Sequence, residues 1–466
     1  MRELKLKAKC IEAGTAAPQY ETERYLNFIC DKFDLRTDIQ FNTRIQSAQF
    51  LDDQRTWQVT DTSGRVYTSR YLITGMGVLS NPTLPNVPGV KDFQGEAFHT
   101  ARWPKEPVSF ENKRVGIIGT GATAIQAIPE IAKTVGHLTV FQRTPNWAIP
   151  LHNAKISPEE MQDIRTGYPK LFEKLQQTRM CFIHDANPDS IWDATPEQRE
   201  ELWEHLYAQP GFGMWLSNYK EILVDHKAND LVSEFVAKKT RQRVHNPETA
   251  ELLIPKNHGF GTRRVPMETF YYEAYNRPNV RLVDLHKTAI DRITEKGVQI
   301  KGVKEGVEGE EHEFDMLIYA TGFDAVTGAF DAIDFTGVGG VKLLEKWKEG
   351  PQTYLGMTVN GLPNMFMIRS IEFAVDWLAN CIGYLQQKDL SRIEAREEGV
   401  KQWTEHVHQI SEGFLSNEID SWMTGVNKNV AGRQKRIVAR YNGSAVEFRQ
   451  RCRDVADARY DAFDLA

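Results

Sequence analysis

The 466 residues hold few of the features that would place the chain outside the ordinary globular enzymes. No apolar run approaches the roughly 20 residues a bilayer-spanning helix needs. The N-terminus, MRELKLKAKCIEAG, is basic but has no apolar core of the kind a secretory signal carries. With 57 Lys+Arg against 63 Asp+Glu the net charge is −6. That argues against a nucleic-acid partner. The five cysteines are Cys10, Cys30, Cys181, Cys381 and Cys452. They form no CxxC pair and no metal-ligand spacing, so reduced thiols are expected and a metal is not. A cytoplasmic location is the expectation. No internal repeat or low-complexity tract is visible.

Apolar material is ample at 41% hydrophobic and 10% aromatic, enough for two or three domains. Tyr25, Phe28, Ile29 and Phe33 recur at helical spacing and predict an amphipathic helix over 20–36. Residues 37–75 alternate, with turns at Asp-Asp-Gln and Ser-Gly, and predict hairpins. NPTLPNVPG (81–89) is a Pro-rich connector. Residues 151–250 read as mostly polar helix, and NVRLVDL (279–285) and DMLIYATG (315–322) as strands. Strands and helices alternating around Gly-rich turns predict an α/β architecture with mainly parallel sheets.

Residues 113–126, KRVGIIGTGATAIQ, carry the sharpest signal. A short apolar strand leads into Gly119-Thr120-Gly121-Ala122-Thr123-Ala124 and then a helix through Ile125. This is GxGxxA in the strand–turn–helix setting of a dinucleotide site. Gly119 permits the tight turn and Gly121 lets backbone approach a pyrophosphate. Ala124 is small enough for the helix to pack on the strand. The positive helix end faces the phosphates. The next strand, HLTVFQRT, ends in Arg143 and Thr144 where an NAD site would place an acid. A guanidinium there pairs with a 2′-phosphate, so NADPH is expected over NADH.

Residues 93–104, FQGEAFHTARWP, fit F-x-G-x-x-x-H-x-x-x-W-P through Phe93, Gly95, His99, Trp103 and Pro104. That pattern resembles the fingerprint of the Baeyer–Villiger monooxygenases, class B flavin-dependent enzymes. GVLSNPTLPNVPG, FQRTPNW, FGTRRVPMETFYYEAYNRPNV, IYATGFDAVTGAF and SWMTGVN agree, and the resemblance runs from about Ala17 onward. It implies two Rossmann-like domains, one for FAD and an inserted one for NADP, with an added helical region. The expected division is 1–92 for part of the FAD domain and 93–110 for a linker. Residues 111–285 would form the NADP domain with its helical insertion (about 151–250), and 286–466 the remainder. The implied chemistry is reduction of FAD by NADPH, uptake of O2 as a C4a-peroxyflavin, and attack on a ketone to give an ester or lactone. A fixed guanidinium suits an anionic intermediate. By resemblance Arg264 is the catalytic arginine, Arg263 helps hold the 2′-phosphate, and Trp422 contacts the nicotinamide half. Asp324 is expected to be structural. His99 belongs to the segment coupling the two domains and is not expected to act as a base.

Two departures bear on the flavin side. No glycine fingerprint precedes Gly119, and residues 1–16 do not resemble the family. GLPNMFMI (361–368) runs straight into RSIEFAVDWLANCIGYL, where the family carries a Gly-Pro, Ser-rich loop and an LSNM-like segment. An exposed parallel edge and an uncovered apolar face are then expected in the FAD domain. Two alternatives stand beside the ketone monooxygenase: a catalytically inactive NADPH-binding remnant or truncated gene product, and an N- or S-hydroxylating flavin monooxygenase. The ketone and the oligomeric state are left open.

Overall fold

The computed structural model describes residues 17–302, 309–368 and 371–466. The unmatched segment 1–16 and the Ile368–Arg369 junction therefore lie outside the described residues. Helix α1 (Gln19–Lys32) forms where the helical spacing predicts it. Strands β1 (Ile45–Leu51), β2 (Thr56–Asp61) and β3 (Val66–Ser69) follow as an antiparallel meander, with the turns at 52–55 and 62–65. Strand β4 (Leu72–Thr74) comes next.

Strand β5 (Glu96–His99) opens a second unit, followed by β6 (Arg114–Ile118), α2 (Ala122–Ala132) and β7 (His137–Gln142). Strands β8 (Ile149–Pro150) and β9 (Met267–Glu268) pair with each other in parallel. Between them lies the helical region: α3 (Pro158–Gln177), α4 (Pro196–Ala208), α5 (Gly213–Leu216), α6 (His226–Arg243) and α7 (Pro247–Leu253). Ser157 and Thr195 close capping boxes at the starts of α3 and α4, each with proline at the first helical position. The helices close over a core of their own around Trp147, Trp203, Phe235 and Phe260.

Strand β10 (Val280–Asp284) returns to the sheet, a second meander follows (β11, Ile290–Ile293; β12, Gly297–Ile300; β13, Glu311–Glu313), and then β14 (Met316–Tyr319). Among the described residues, β10-β7-β6-β14-β5 form one all-parallel sheet. Its strands read as continuous apolar runs because both faces are covered. One face packs on α2 through Val115, Ile117, Ile125 and Ile128, the other on Phe93, Phe141 and Phe314.

This placement corrects the expected division of the chain. Strand β14 lies outside 111–285 in sequence but in the middle of the nucleotide sheet, and β5, expected in a linker, is its edge. An apolar run such as MLIY specifies a buried strand but not which sheet buries it.

Strand β15 (Asp334–Thr336) adds to β1 in parallel, and β16 (Met365–Met367) pairs with β4 in parallel. Helices Ile371–Gln387, Glu397–Gln409 and Ala445–Asp457 close the chain around a core of Trp377, Trp403, Tyr460 and Phe463. The two halves follow one plan, in which a three-stranded meander runs into a parallel strand ending in Thr-Gly (Thr74-Gly75, Thr321-Gly322). Strand β14 has neighbours on both edges, whereas among the described residues β4 has only β16. Ile73 on β4 is 45% exposed. Helix α1 buries only Glu21, so its apolar side chains form no core stripe. Tyr20, Tyr25, Leu26, Phe28, Phe33 and Phe41 instead form an exposed apolar run.

Such a surface drives self-association. Replacing Leu26 and Phe28 together with lysine is expected to lower light scattering at high protein concentration. Because neither side chain is buried, folding stability should change by no more than about 0.5 kcal/mol per site in urea titrations.

Candidate active site

The turn after β6 is dictated by crowding from β14. Gly119 has φ +112, and a Cβ there would stand 2.5 Å from the Ala320 carbonyl oxygen. Only glycine meets both conditions. The same carbonyl end is held by Ala320 N–H donating to the Ile118 oxygen at 2.9 Å. Gly121 forms the N-cap of α2 without a side-chain cap, and a Cβ there would meet nothing within 4 Å. The first turn of α2 carries no acid. Gly121 and Thr123 are exposed and Ala122 is half-buried. Free backbone N–H groups at a helix start, open and unopposed, make an anion site.

The other three turn residues do different work. The Thr120 hydroxyl is buried and donates to the Thr144 carbonyl at 3.0 Å, tying the turn to the exit of β7. Its side chain is a strut and cannot also hold a phosphate. Ala124 and Ile125 are fully buried in the sheet–helix core. Ala124 plays the packing part expected of it, whereas Ile125 is core and not a cofactor contact.

Arg143 leaves the end of β7 with its tip open to water. The protein mass around it still strips enough solvent that burial alone pulls its guanidinium below the usual arginine range, with no carboxylate beside it. Arg263 is shifted the same way by burial, opposed by the Asp420 carboxylate, with a smaller push downward from Arg143. One Arg263 nitrogen donates to the Asp420 carbonyl at 2.8 Å, and its Nε is buried without a partner. Two desolvated cations, of which only Arg263 has a carboxylate near it, favour an anion that joins them. Asp420 also accepts from Arg436 at 2.8 Å. It stands two residues before Trp422, which is 38% exposed on a short turn capped by Ser421 and Thr424. The Arg263–Asp420 bond thus brings the Trp422 segment to the arginine loop. Nothing in the sequence marked Asp420.

Arg264 is exposed, and its carbonyl accepts from Asn146 Nδ2 at 3.2 Å. The Trp147 indole donates to the His258 carbonyl at 2.9 Å. His258 is buried, and burial, reinforced by Arg263, pushes its pKa down to about 3.

The fingerprint residues line β5 and its exit. Phe93 is buried. A Cβ at Gly95 would meet the Phe93 ring at 2.5 Å and the Asp315 carbonyl oxygen at 2.8 Å. His99 lies opposite Tyr319 in the register. Its Nδ1 accepts from Ala101 N–H at 3.0 Å, its ring meets Phe323 edge-on, and burial keeps it neutral. Trp103 is exposed at its rim and packs edge-on against Phe98, while Pro104 is exposed. The two crossings between the halves are stitched together here. Thr83 N–H donates to the Gly322 oxygen and Asp324 N–H to the Asn81 oxygen. Asp324 is buried and paired with Arg433, which also binds Asp331, as suits a structural role.

Among the described residues, 119–124 is the strand–glycine turn–helix that fits a pyrophosphate, and the arginines beside it fit NADPH. The ADP half of FAD finds no second such turn there. On the flavin side the described residues supply the β4–β16 pair and the strand ends at Gly75 and Gly322.

Gly119→Ala is expected to abolish nucleotide binding and to cost about 1–3 kcal/mol of stability, read by calorimetry and urea titration. His258 titrates near 6.5 when unfolded but near 3 when folded. The unfolded chain therefore binds the extra proton, and the stabilisation present above pH 6.5 is lost as pH falls toward 3. Between pH 7 and pH 5 the loss should be about 2 kcal/mol, and His258→Gln should flatten that limb of the urea-stability profile.

Comparison with known proteins places this arrangement. Residues 18–233 match the flavin-binding monooxygenase-like family model. A 2-oxo-Δ3-4,5,5-trimethylcyclopentenylacetyl-CoA monooxygenase of Pseudomonas putida is 39% identical over 97% of this chain and 85% of its own length. The methyl acetate-forming acetone monooxygenase of Gordonia sp. (strain TY-5) is 38% identical over 96% of this chain and 85% of its own. The crystal structure of OTEMO in complex with FAD and NADP superposes with a TM-score of 0.90 at 38% identity, covering 97% of this chain and 85% of that one. With a glycine turn, an arginine crevice and relatives of this closeness along nearly its whole length, the chain belongs to the flavin-binding monooxygenase-like family, among its FAD- and NADPH-dependent Baeyer–Villiger enzymes.

Proposed function

We propose that the chain uses NADPH and O2 to convert a ketone into an ester or lactone, with water and NADP+ as the other products. The observation that carries the reading is the pair Arg143–Arg263, both desolvated and Arg143 without a carboxylate beside it, near the open start of α2. NADPH would lay its pyrophosphate on the backbone of Gly121, Ala122 and Thr123. Its 2′-phosphate would enter between the two arginines and remove their mutual repulsion. NADH leaves that repulsion in place, so discrimination between the cofactors arises from a cost as well as a bond. Thr144 contributes through its carbonyl, which fixes the turn by way of Thr120.

When bound, FAD accepts the hydride and supplies the oxygen chemistry. The chain's own residues hold the charges around it. Arg264 follows Arg263 directly and is exposed beside the same loop, so a nicotinamide reaching past the arginine pair meets it. Its guanidinium would supply positive charge where negative charge develops during oxygen transfer. Trp422 is brought to the loop by the Asp420–Arg263 bond and offers a flat face to the nicotinamide half. His99 is neutral and tied to backbone, and belongs to the stitching between the halves.

With FAD added, the protein is expected to oxidise NADPH and to form lactone from a cyclic ketone. Sulfoxide from a thioether without any lactone would instead favour a heteroatom oxygenase, and no NADPH oxidation would contradict the reading. Arg143→Ala should weaken NADPH binding by about 2–3 kcal/mol and leave NADH nearly unchanged. Arg264→Ala should abolish the product while NADPH still binds.

A further inference from the structure

The loop that carries Arg263 and Arg264 is far in sequence from the strand that carries Arg143, so something must set the gap between them. Three side-chain bonds cross it. The Trp147 indole donates to the His258 carbonyl at 2.9 Å. The Asn146 amide donates to the Arg264 carbonyl at 3.2 Å. His258 Nε2 faces Asn146 Oδ1 at 3.4 Å. Asn146 is the member common to two of them, and it stands three residues from Arg143.

The chemistry fixes each atom's part. A carbonyl only accepts, so the nitrogen of the Asn146 amide must face Arg264 and its oxygen must face His258. A neutral imidazole has one N–H, and His258 is neutral because it is buried beside Arg263. Nε2 lies 3.4 Å from Asn146 Oδ1 and Nδ1 lies 2.8 Å from Asn257 Oδ1, so the ring's single N–H bonds one of two amide oxygens, and the bond from Asn146 to the Arg264 carbonyl holds for either tautomer. A protonated histidine would place a third cation beside the arginine pair. The neutral tautomer adds a bond without a charge.

We infer that Asn146 is a positioning residue that sets the separation of Arg143 from the Arg263–Arg264 loop, and so the fit of the 2′-phosphate. The inference rests on the proposed seating of that phosphate between Arg143 and Arg263. Asn146 touches no part of the nucleotide in this account and acts through the Arg264 carbonyl and His258. Its effect must therefore appear in the preference for a 2′-phosphate and not in affinity for the rest of the nucleotide.

The test is calorimetric binding of 2′,5′-ADP and of 5′-ADP to the whole chain and to N146A, N146Q and R143A. Both ligands bind without any flavin step. N146A should weaken 2′,5′-ADP about tenfold, the value of one lost hydrogen bond, with 5′-ADP unchanged. N146Q keeps both amide groups and should recover part of the loss. Equal weakening of both ligands would show a general loosening of the loop and overturn the inference. No weakening by N146A, when R143A does lose the preference, would overturn it as well and leave the arginine site intact. If R143A keeps the full preference for 2′,5′-ADP, the seating of the phosphate is wrong and the inference falls with it. Urea stability of N146A serves as the folding control.

Discussion

Two desolvated guanidiniums, Arg143 and Arg263, stand close enough for Arg143 to disfavour the charge on Arg263, and the proposed nucleotide site rests on that pair. Burial lowers the affinity of Arg143 and Arg263 for their protons, and at Arg263 the Asp420 carboxylate opposes the shift while Arg143 adds to it. A folded chain keeps such an arrangement only if surrounding bonds over-determine it. Here they do. Arg263 is held by the Asp420 carbonyl, its loop by Asn146 and Trp147, and the exit of β7 by Thr120. In the proposed seating, a doubly charged phosphate would satisfy both cations at once.

The sheet supplies the second constraint. Strand β14 runs beside β6 so closely that its Ala320 carbonyl leaves no room for a side chain at Gly119. The turn is thereby bent, and the start of α2 is aimed out of the sheet's carboxyl end, where open α/β sheets bind their ligands. The next residues of β14, Thr321 to Asp324, are stitched to Asn81–Thr83. The nucleotide turn and the crossing between the halves are thus both built at the C-terminal end of one short strand. The fingerprint segment lies on the other side of that strand, at β5, which places His99 beside Phe323 rather than beside a reacting group.

Much of this was legible in the sequence. The GxGxxA turn was readable because its residues do local work, within one turn of one another, and Arg143 because its position after the second strand is fixed by the strand length. The hairpins of 45–69 announced themselves by alternation and turn chemistry. What could not be read were the long-range partners. The Thr120 hydroxyl bonds the Thr144 carbonyl, 24 residues on, and that contact leaves no local pattern. Asn146, His258 and Asp420 act over separations of more than a hundred residues. Strand β14 was placed in the wrong half because a short apolar run does not name its neighbours. Helix α1 has the periodicity of a buried helix yet stands exposed, since spacing describes a face and not what covers it.

The seating of the 2′-phosphate can be observed without flavin, substrate or mutation. In NADP+ that group carries a titratable proton and a phosphorus signal distinct from the pyrophosphate. Bound between two guanidiniums, it should be held as the dianion, so its 31P resonance should titrate well below the midpoint of free NADP+. A bound 2′-phosphate that titrates at the free midpoint would contradict the account.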